Sequence, residues 1–521
     1  LLLTRYTPPL AAFKWGWASG LVFWISDMSW ILSLGRTGGP LPLVAMGWVL
    51  LSAYCALYTG AFALVASKLF SLWVPPAGVP APGPGRPRAA GRVTGLVGQA
   101  GLVVAVPLVW VGFEYLRGTL FTGFPWNPLG VSQFRNLVII QSAEWGGVYA
   151  VSAAIMALNT VFAITALRLI GAFARQRQSR SRLDLAVAVL LFCLCWLGGM
   201  QGLRKAREPQ TGATAVSLAV IQPNVPQLKK WPLEFEKEVF ERLRAQTELA
   251  LLGRPDLIVW PETCLPGPLT SDPGTREFVN RLAPNGVPLL VGSLEEGDPA
   301  DPYAWIYNSS FLVDGRGEIR DVYRKLHLVP FGEYLPFDDK VAFIRNLAPL
   351  GFSCAAGADM TVFRLDRPDV RFSVLICFED IFASLSRSAV RRGARFLVNQ
   401  TNDAWFDGSA GALQHLSQGV FRCVENRVGA VRAANTGISC FIDRSGRVDM
   451  LLNAAGGARF TGFKLDRLQV AGPDMPLTFY TRHGDLPFAL PCGVAAALVF
   501  GLVLTAEKRK LRDPTHKEKS E

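Results

Sequence analysis

Three short segments carry residues whose types suit covalent acyl chemistry. Leu257-Ile-Val-Trp-Pro-Glu262-Thr ends an apolar run on a carboxylate. Tyr323-Arg-Lys325-Leu-His-Leu-Val-Pro-Phe-Gly-Glu333-Tyr places a lysine at a strand end and a second carboxylate in the loop after it. Val374-Leu-Ile-Cys377-Phe-Glu379-Asp puts a cysteine where a buried strand is expected to turn into a helix. A cysteine at a helix N-terminus meets the positive end of the dipole, and a nearby ammonium lowers its pKa from the free value of about 8.5. On this expectation Cys377 is a thiolate nucleophile activated by Lys325. Glu262 takes the thiol proton and later relays it, while the backbone N–H of Phe378, with Lys325, holds the oxyanion of a tetrahedral intermediate. That assembly describes acyl transfer through a thioester.

Taken singly, each residue has a plainer reading. Isolated cysteines are most often small buried hydrophobes, and Cys264, Cys354, Cys423 and Cys440 keep that reading. Glu262 alone reads as a cap and Lys325 as a solvated charge. Together, each at the C-terminal end of a strand, they read as a site. Nothing points to a cofactor or metal. The sequence has no phosphate loop, no G-x-G-x-x-G, no H-E-x-x-H and no G-x-S-x-G elbow. Its 9 cysteines lack paired spacing and its histidines number 4.

The elements that must carry these residues lie between 205 and 485, where short apolar runs alternate with turn signals. Strands are expected at Val216–Ile221, Leu257–Trp260, Leu289–Gly292, Ser310–Val313, Phe372–Ile376, Phe396–Val398 and Ser439–Ile442. Asp314-Gly315 and Arg444-Ser445-Gly446 follow two of them as hairpin-type turns. Steps of three and four through Leu413, Leu416, Val420, Val424, Val428 and Val431 mark one buried helix face, and a further helix is expected from Cys377 to about Arg392. Strands alternating with helices give an α/β domain, a sheet sandwich covered by helices.

The rest of the chain reads as membrane. With 521 residues, 50% hydrophobic, 18% charged and a mean hydropathy of +0.26, part of it is expected to be solvated by lipid. Apolar stretches long enough to cross a hydrocarbon core of about 30 Å lie near 11–34, 43–66, 97–116, 147–171, 183–200 and 486–505. Glu114 and Arg117, at one end of the third, are expected to pair with each other or with the interface. Basic residues cluster in the Ala/Pro/Gly-rich linker after the second stretch (Arg86, Arg88, Arg92), after the fourth (Arg175, Arg177, Arg180, Arg182) and in the tail (Lys508, Arg509, Lys510, Arg512). With alternating spans these three fall on the cytoplasmic side and 205–485 falls on the other. The net charge of +12 is thereby a topology signal; no recognition module accompanies it, so nucleic acid is not expected as a partner. The expected division is 1–204 membrane region, 205–485 catalytic domain, 486–505 last span and 506–521 basic cytoplasmic tail.

At Glu262, Lys325 and Cys377 the sequence resembles the nitrilase (carbon–nitrogen hydrolase) superfamily with its Glu–Lys–Cys triad. The membrane spans narrow the resemblance to the bacterial apolipoprotein N-acyltransferase family. It extends through Phe121-Thr-Gly-Phe-Pro-Trp126, Gln222-Pro-Asn-Val-Pro-Gln227 with Trp231, Lys325-x-His-Leu-Val-Pro-Phe-Gly-Glu-Tyr-Leu-Pro336, Asn402-Asp-Ala-Trp-Phe406 and Tyr480-x-Arg-x-Gly-Asp485. The resemblance implies an αββα sandwich on a polytopic region of the bacterial inner membrane, with the sandwich on the periplasmic side. It implies that a phospholipid, typically phosphatidylethanolamine, acylates the cysteine, and that the chain passes to the α-amino group of a lipoprotein's diacylglyceryl-cysteine. By resemblance Trp231, Glu333, Glu379, Trp405 and Phe406 join the functional set: Glu333 supports Lys325 and the oxyanion side, and Trp231 with the Trp405 region shapes the lipid site. Phe378 stands where the family usually has Tyr, which keeps the backbone donor and removes a hydroxyl. The family has more spans than are read here, so a front pair is expected to lie outside this chain, which opens Leu-Leu-Leu rather than Met. The apolar loop Val341–Phe352 reads as a lipid-touching lid or an ordinary packed loop.

Two alternatives follow from the same residues. One is a membrane-tethered amidase of the superfamily, with water in place of the amine. The other is a non-catalytic scaffold or transporter on a silent nitrilase fold, against which the intact Glu262, Lys325 and Cys377 argue.

Overall fold

The computed structural model describes residues 7–73, 96–173, 182–210, 212–230, 232–283, 286–297, 306–335 and 353–512. The linker arginines at 86–92, Arg175, Arg177 and Arg180, Trp231 and the 341–352 loop lie outside the described residues. The chain divides into two compact units, one of Leu1–Ser29, Met46–Gly202 and His483–Glu521, the other of Trp30–Ala45 and Leu203–Arg482.

The first unit is helical: α1 (Pro9–Asp27), α2 (Leu41–Trp73), α3 (Leu96–Thr119), α4 (Ala143–Phe173), α5 (Leu183–Arg207) and, after the second unit, α11 (Ala489–Arg512). Five helices are long and apolar enough to cross a membrane, and a sixth candidate is α1 joined to the 3-10 segment Ser29–Gly35 across a 48° bend. The first sequence stretch, 11–34, is this broken pair rather than one straight rod. Leu64, Val65, Phe70, Leu102, Val106, Ile164 and Ala496 pack inside the unit, while Leu190, Leu197, Leu498 and Leu502 face outward, as helices bathed in hydrocarbon do. Helices α3 and α11 approach so closely that a Cβ on Gly112 would lie 2.3 Å from the Cys492 carbonyl oxygen, the small-residue packing membranes favour.

Glu114 and Arg117 do not spend themselves on each other. Arg117 Nη1 donates to the carbonyls of Phe124 and Trp126 at 2.8 and 2.7 Å, and Glu114 Oε1 accepts from the Leu129 N–H at 2.6 Å. They clamp the loop after α3, whose Phe121 and Thr122 are left-handed at φ 53° and 74°. A loop packed among apolar helices needs its backbone polar groups met internally, and these two side chains meet three of them.

The second unit is an α/β sandwich. Its strands are β1 (Thr214–Gln222), β2 (Leu257–Val259), β3 (Leu289–Glu296), β4 (Ile306–Val313), β5 (Ile319–Arg324), β6 (Phe363–Asp366), β7 (Asp369–Ile376), β8 (Phe396–Thr401), β9 (Gly429–Ala434), β10 (Cys440–Ile442), β11 (Val448–Met450) and β12 (Gly462–Val470). They form two six-stranded sheets, in the orders β12-β1-β2-β3-β4-β5 and β11-β10-β9-β8-β7-β6. The sheets face each other, since Gln400 on β8 donates across to the carbonyls of Trp260 and Leu290 at 2.6 and 3.2 Å. Helices α6 (Glu236–Leu251) and α7 (Pro273–Leu282) pack through Val239, Leu243 and Val279 on Ile258 and Leu289 of the first sheet. Helices α8 (Ala383–Arg391) and α9 (Gly411–Asn426) accompany the second sheet, and α10 (Phe479–His483) follows it.

The periodic valines ran one element too far. Helix α9 stops at Asn426, and Val431 sits in β9, which runs parallel to β8 and antiparallel to β10 and whose six residues are all buried. A strand covered on both faces loses its alternation and extends an apolar helix pattern unnoticed. The expected helix from Cys377 is also different: Cys377–Ile381 is a 3-10 turn, and the α-helix begins only at Ala383. The short segment Trp30–Ala45 clusters with the sandwich. Trp30 meets Phe406 edge-on at 4.9 Å, and Ser33 Oγ donates to the Trp405 carbonyl at 2.8 Å.

Candidate active site

Glu262, Lys325 and Cys377 each follow a strand. After buried β2 the chain passes Trp260 and Pro261, and turns at Glu262 and Thr263, the latter left-handed at φ 39°. The turn lies hard against β3, where a Cβ on Gly292 would fall 2.2 Å from the Pro261 carbonyl oxygen. Only glycine permits that approach. Lys325 leaves β5 with its N–H on the Asn308 carbonyl at 2.9 Å and its side chain 1% exposed.

Lys325 Nζ lies 2.8 Å from Glu333 Oε1 and 3.6 Å from Glu262 Oε1. The Asn308 amide bridges the two carboxylates, donating to each at 2.8 Å, and Glu333 Oε2 accepts from the Val329 N–H at 2.8 Å. Burial alone would lower the pKa of Lys325, but Glu333 and then Glu262 hold it above the ordinary lysine value. An ammonium locked between two carboxylates stays charged throughout the physiological range.

Cys377 sits at the top of β7 in a left-handed conformation, φ 52°. Its carbonyl faces the Asn399 amide and His415 Nε2, each at 3.1 Å, and its half-buried thiol accepts from Thr401 Oγ1 at 3.3 Å. Burial, and then the charge of Glu262, push the thiol pKa up; Lys325 and Thr401 oppose them without prevailing. These influences run against the expected resting thiolate. The 3-10 turn is too short to offer a helix dipole, and burial with the Glu262 charge outweighs the ammonium. A thiol pushed in this direction favours losing its proton together with attack.

Glu379 is a clasp rather than a free acid. Its Oε1 accepts from the Leu326 and His327 N–H groups at 2.7 and 3.0 Å, its Oε2 from the Ile376 N–H at 2.7 Å, and both from the Tyr323 hydroxyl at 2.9 Å. It ties the Cys377 elbow to the Lys325 loop. Burial pushes its pKa up to about 7, with Lys325 and the backbone donors pulling against that. Phe378 packs against His327 and Phe382 at ring distances of 6.2 and 5.3 Å, so the ring lacking the family hydroxyl serves as an apolar wall. Phe406 is buried between Trp30 and His415, whereas Trp405 is half-buried. Trp231 lies outside the described residues.

Several contributors were missed in the sequence. Asn308 opens a polar run, Asn308-Ser309-Ser310, inside the otherwise apolar β4, and that run was its signal. Behind the cysteine, Arg432 Nη1 donates to Asp380 and Asn399 at 3.0 and 2.6 Å, and its Nη2 to Asp403 at 2.9 Å. His415 Nε2 lies 2.8 Å from Asp380 Oδ1. Arg432, Asp380, Asn399, Asp403 and His415 come from five separate elements and carry no local pattern. Among the described residues, no group of His, Cys, Asp and Glu could hold a metal ion.

Residues 1–161 match the family described as Apolipoprotein N-acyltransferase N-terminal domain, and residues 217–454 match Carbon-nitrogen hydrolase. A protein of Geobacter metallireducens named apolipoprotein N-acyltransferase is 34% identical over 508 residues, 96% of this chain and 89% of that one. The chain belongs to the apolipoprotein N-acyltransferase family. A second member, from Allorhizobium ampelinum, is 32% identical over 87% of this chain and 80% of its own length. Among solved structures, an amidase from Nesterenkonia sp. is similar at 17% identity and a TM-score of 0.37, over 52% of this chain and 96% of that one. Family membership and the long apolar helices make the chain a multi-pass bacterial membrane protein. In this N-acyltransferase the nitrilase-like sandwich occupies the C-terminal half, and the loop clamped by Glu114 and Arg117 lies within the family's N-terminal domain.

Proposed function

We propose that the protein transfers an acyl chain from a phospholipid, typically phosphatidylethanolamine, to the α-amino group of a diacylglyceryl-cysteine at a lipoprotein N-terminus. The reaction is double displacement on Cys377. The Cys377 sulfur attacks the ester carbonyl while its proton passes to Glu262. The oxyanion forms against Lys325 and the Phe378 backbone N–H. Collapse breaks the ester C–O bond, the proton moves from Glu262 to the departing oxygen, and a lysophospholipid leaves a thioester on Cys377. The neutral amine then attacks that thioester, Glu262 takes a proton from the nitrogen and returns it to the sulfur, and the product is an amide. Atoms and protons balance without nucleotide or metal.

What carries this reading is a buried ammonium held between Glu262 and Glu333, with a thiol whose pKa burial and Glu262 push up, in a chain of this family. The ammonium is free of the duty of making a thiolate at rest, which leaves its charge for the oxyanion. Both substrates are anchored in one bilayer, which raises their effective concentration at a membrane-tethered enzyme. An α-amino group with a pKa of about 7.7–8.0 is partly neutral near pH 7, as the second step requires. The sandwich, 205–485, faces the periplasm in this proposal, because the basic loops and tail hold the opposite side in the cytoplasm.

Incubation with acyl-labelled phospholipid followed by mass spectrometry should find the label on the Cys377 peptide, with one lysophospholipid released per acyl-enzyme. Added lipopeptide should discharge the label as an amide far faster than water does. N-acylation by Cys377→Ala protein would sink the mechanism, and discharge by water alone would make the protein an amidase.

A further inference from the structure

A second buried ammonium lies in the same pocket. Lys230 follows the 3-10 turn Gln227–Lys229 and is 2% exposed. Its turn is anchored by Gln227, whose Oε1 accepts from the Asn402 amide at 2.7 Å. Lys230 Nζ donates to the Glu262 carbonyl at 3.2 Å and to Thr263 Oγ1 at 2.6 Å. Its neighbour Lys229 turns away to Glu238 and the Phe235 ring.

Both contacts fall on the turn that carries the proton acceptor. Thr263 is β-branched and left-handed, a strained conformation that persists only where its surroundings impose it. We propose that the Lys230 ammonium is a positioning residue for acyl transfer: it fastens the Glu262–Thr263 turn and supplies the second positive charge the pocket needs when the oxyanion forms. The charges follow from the proton's path: once Glu262 has taken the thiol proton, Glu333 balances Lys325 and the remaining negative charge sits on the substrate oxygen. Without a charged Lys230 the site is then net negative, and the oxyanion has no cation of its own.

The charge on Lys230 is conditional. Burial lowers its pKa, and Glu262, Cys264 and Cys377, the titratable groups that face it, restore only part; the result is about 8. Lys325 is held above its ordinary value, so it stays charged where Lys230 does not. Of the two buried lysines, only Lys230 should lose its charge as the pH rises through about 8.

This inference rests on the acyl-transfer reading, and the first half-reaction tests the two separately. Acylation of Cys377 by labelled phosphatidylethanolamine is followed by rapid quench from mildly acidic to strongly basic pH, with no amine acceptor present. Wild-type acylation should fall on the basic side with a midpoint near 8. Lys230→Arg, whose side chain does not titrate there, should move that limb up by more than about one pH unit. Lys230→Met should acylate about tenfold or more slowly and show no limb near 8. Where the Met protein fails to accumulate, the Arg profile decides. Variant profiles that superimpose on the wild type overturn the role of Lys230 while leaving the acyl-enzyme intact. Absence of any wild-type acyl-enzyme overturns the acyl-transfer reading itself.

Discussion

Cys377 is held at φ 52°, a conformation that costs an ordinary residue about 1–3 kcal/mol, and its surroundings explain how it persists. Asn399 and His415 reach its carbonyl, and Glu379 grips the N–H of Ile376 before it. Every partner of Glu379 is a donor, so an amide in its place turns an NH2 group toward N–H groups. Glu379→Gln should therefore be as damaging as Glu379→Ala, with each stranded donor costing about 1–3 kcal/mol; thermal unfolding and acylation rate read this together. A glutamine that restores wild-type behaviour would contradict the clasp. Glu262 gives a prediction with two opposed signs. Its charge raises the Cys377 pKa, so Glu262→Gln should lower the thiol pKa measured by alkylation. Because the same change removes the proton acceptor, acylation should slow by about 10²–10⁴-fold. A variant that loses acylation while its thiol pKa rises would refute this assignment. Of these residues, Glu262, Lys325 and Cys377 were legible because each stands in a local motif. Asn308, Lys230, His415 and Arg432 were not, since their roles arise from contacts across dozens of residues of sequence.

At the scale of elements, the site depends on strands that end at the right height and on close backbone approaches that let their loops converge. Gly292 is the clearest case. A methyl group there would push Pro261 and with it Glu262, although β3 itself pairs normally on both sides. Gly292→Ala should cut acylation at least tenfold, because misplacing a reacting group by about 1 Å costs on the order of 10²-fold. Circular dichroism of the sandwich should change little. Retention of full activity would mean the turn tolerates displacement. Elements also mark where sequence reading failed. The edge strands β6, β11 and β12 went unread because they are short or alternate weakly: β12 buries only three of its nine residues. Strand β9 was absorbed into a helix because nothing polar interrupts it.

For the whole molecule, the open question is which side of the membrane each unit occupies. The basic residues Lys508–Arg512 form the C-terminal end of α11, the last apolar helix, and Asp184 at the start of α5 is fully buried between Arg168 and Arg182 at 3.2 and 3.3 Å. Both place cations at the ends of spans where the cytoplasmic surface is expected. A fluorescent reporter fused after Glu521 should therefore fold and fluoresce in the cytoplasm, and alkaline phosphatase fused there should be inactive. The opposite result would put the sandwich in the cytoplasm and end the case for a periplasmic acyltransferase. The sequence by itself determined the membrane character and the α/β sandwich, and brought Glu262, Lys325 and Cys377 forward as candidates, because hydropathy and strand-end motifs are local properties of the chain. Tertiary structure alone decided the direction in which the Cys377 pKa is pushed, the bridging of Glu262 and Glu333 by Asn308, and the second buried lysine, Lys230, against the Glu262 turn. Those depend on electric fields and hydrogen bonds summed over residues that only folding brings within a few ångströms of one another.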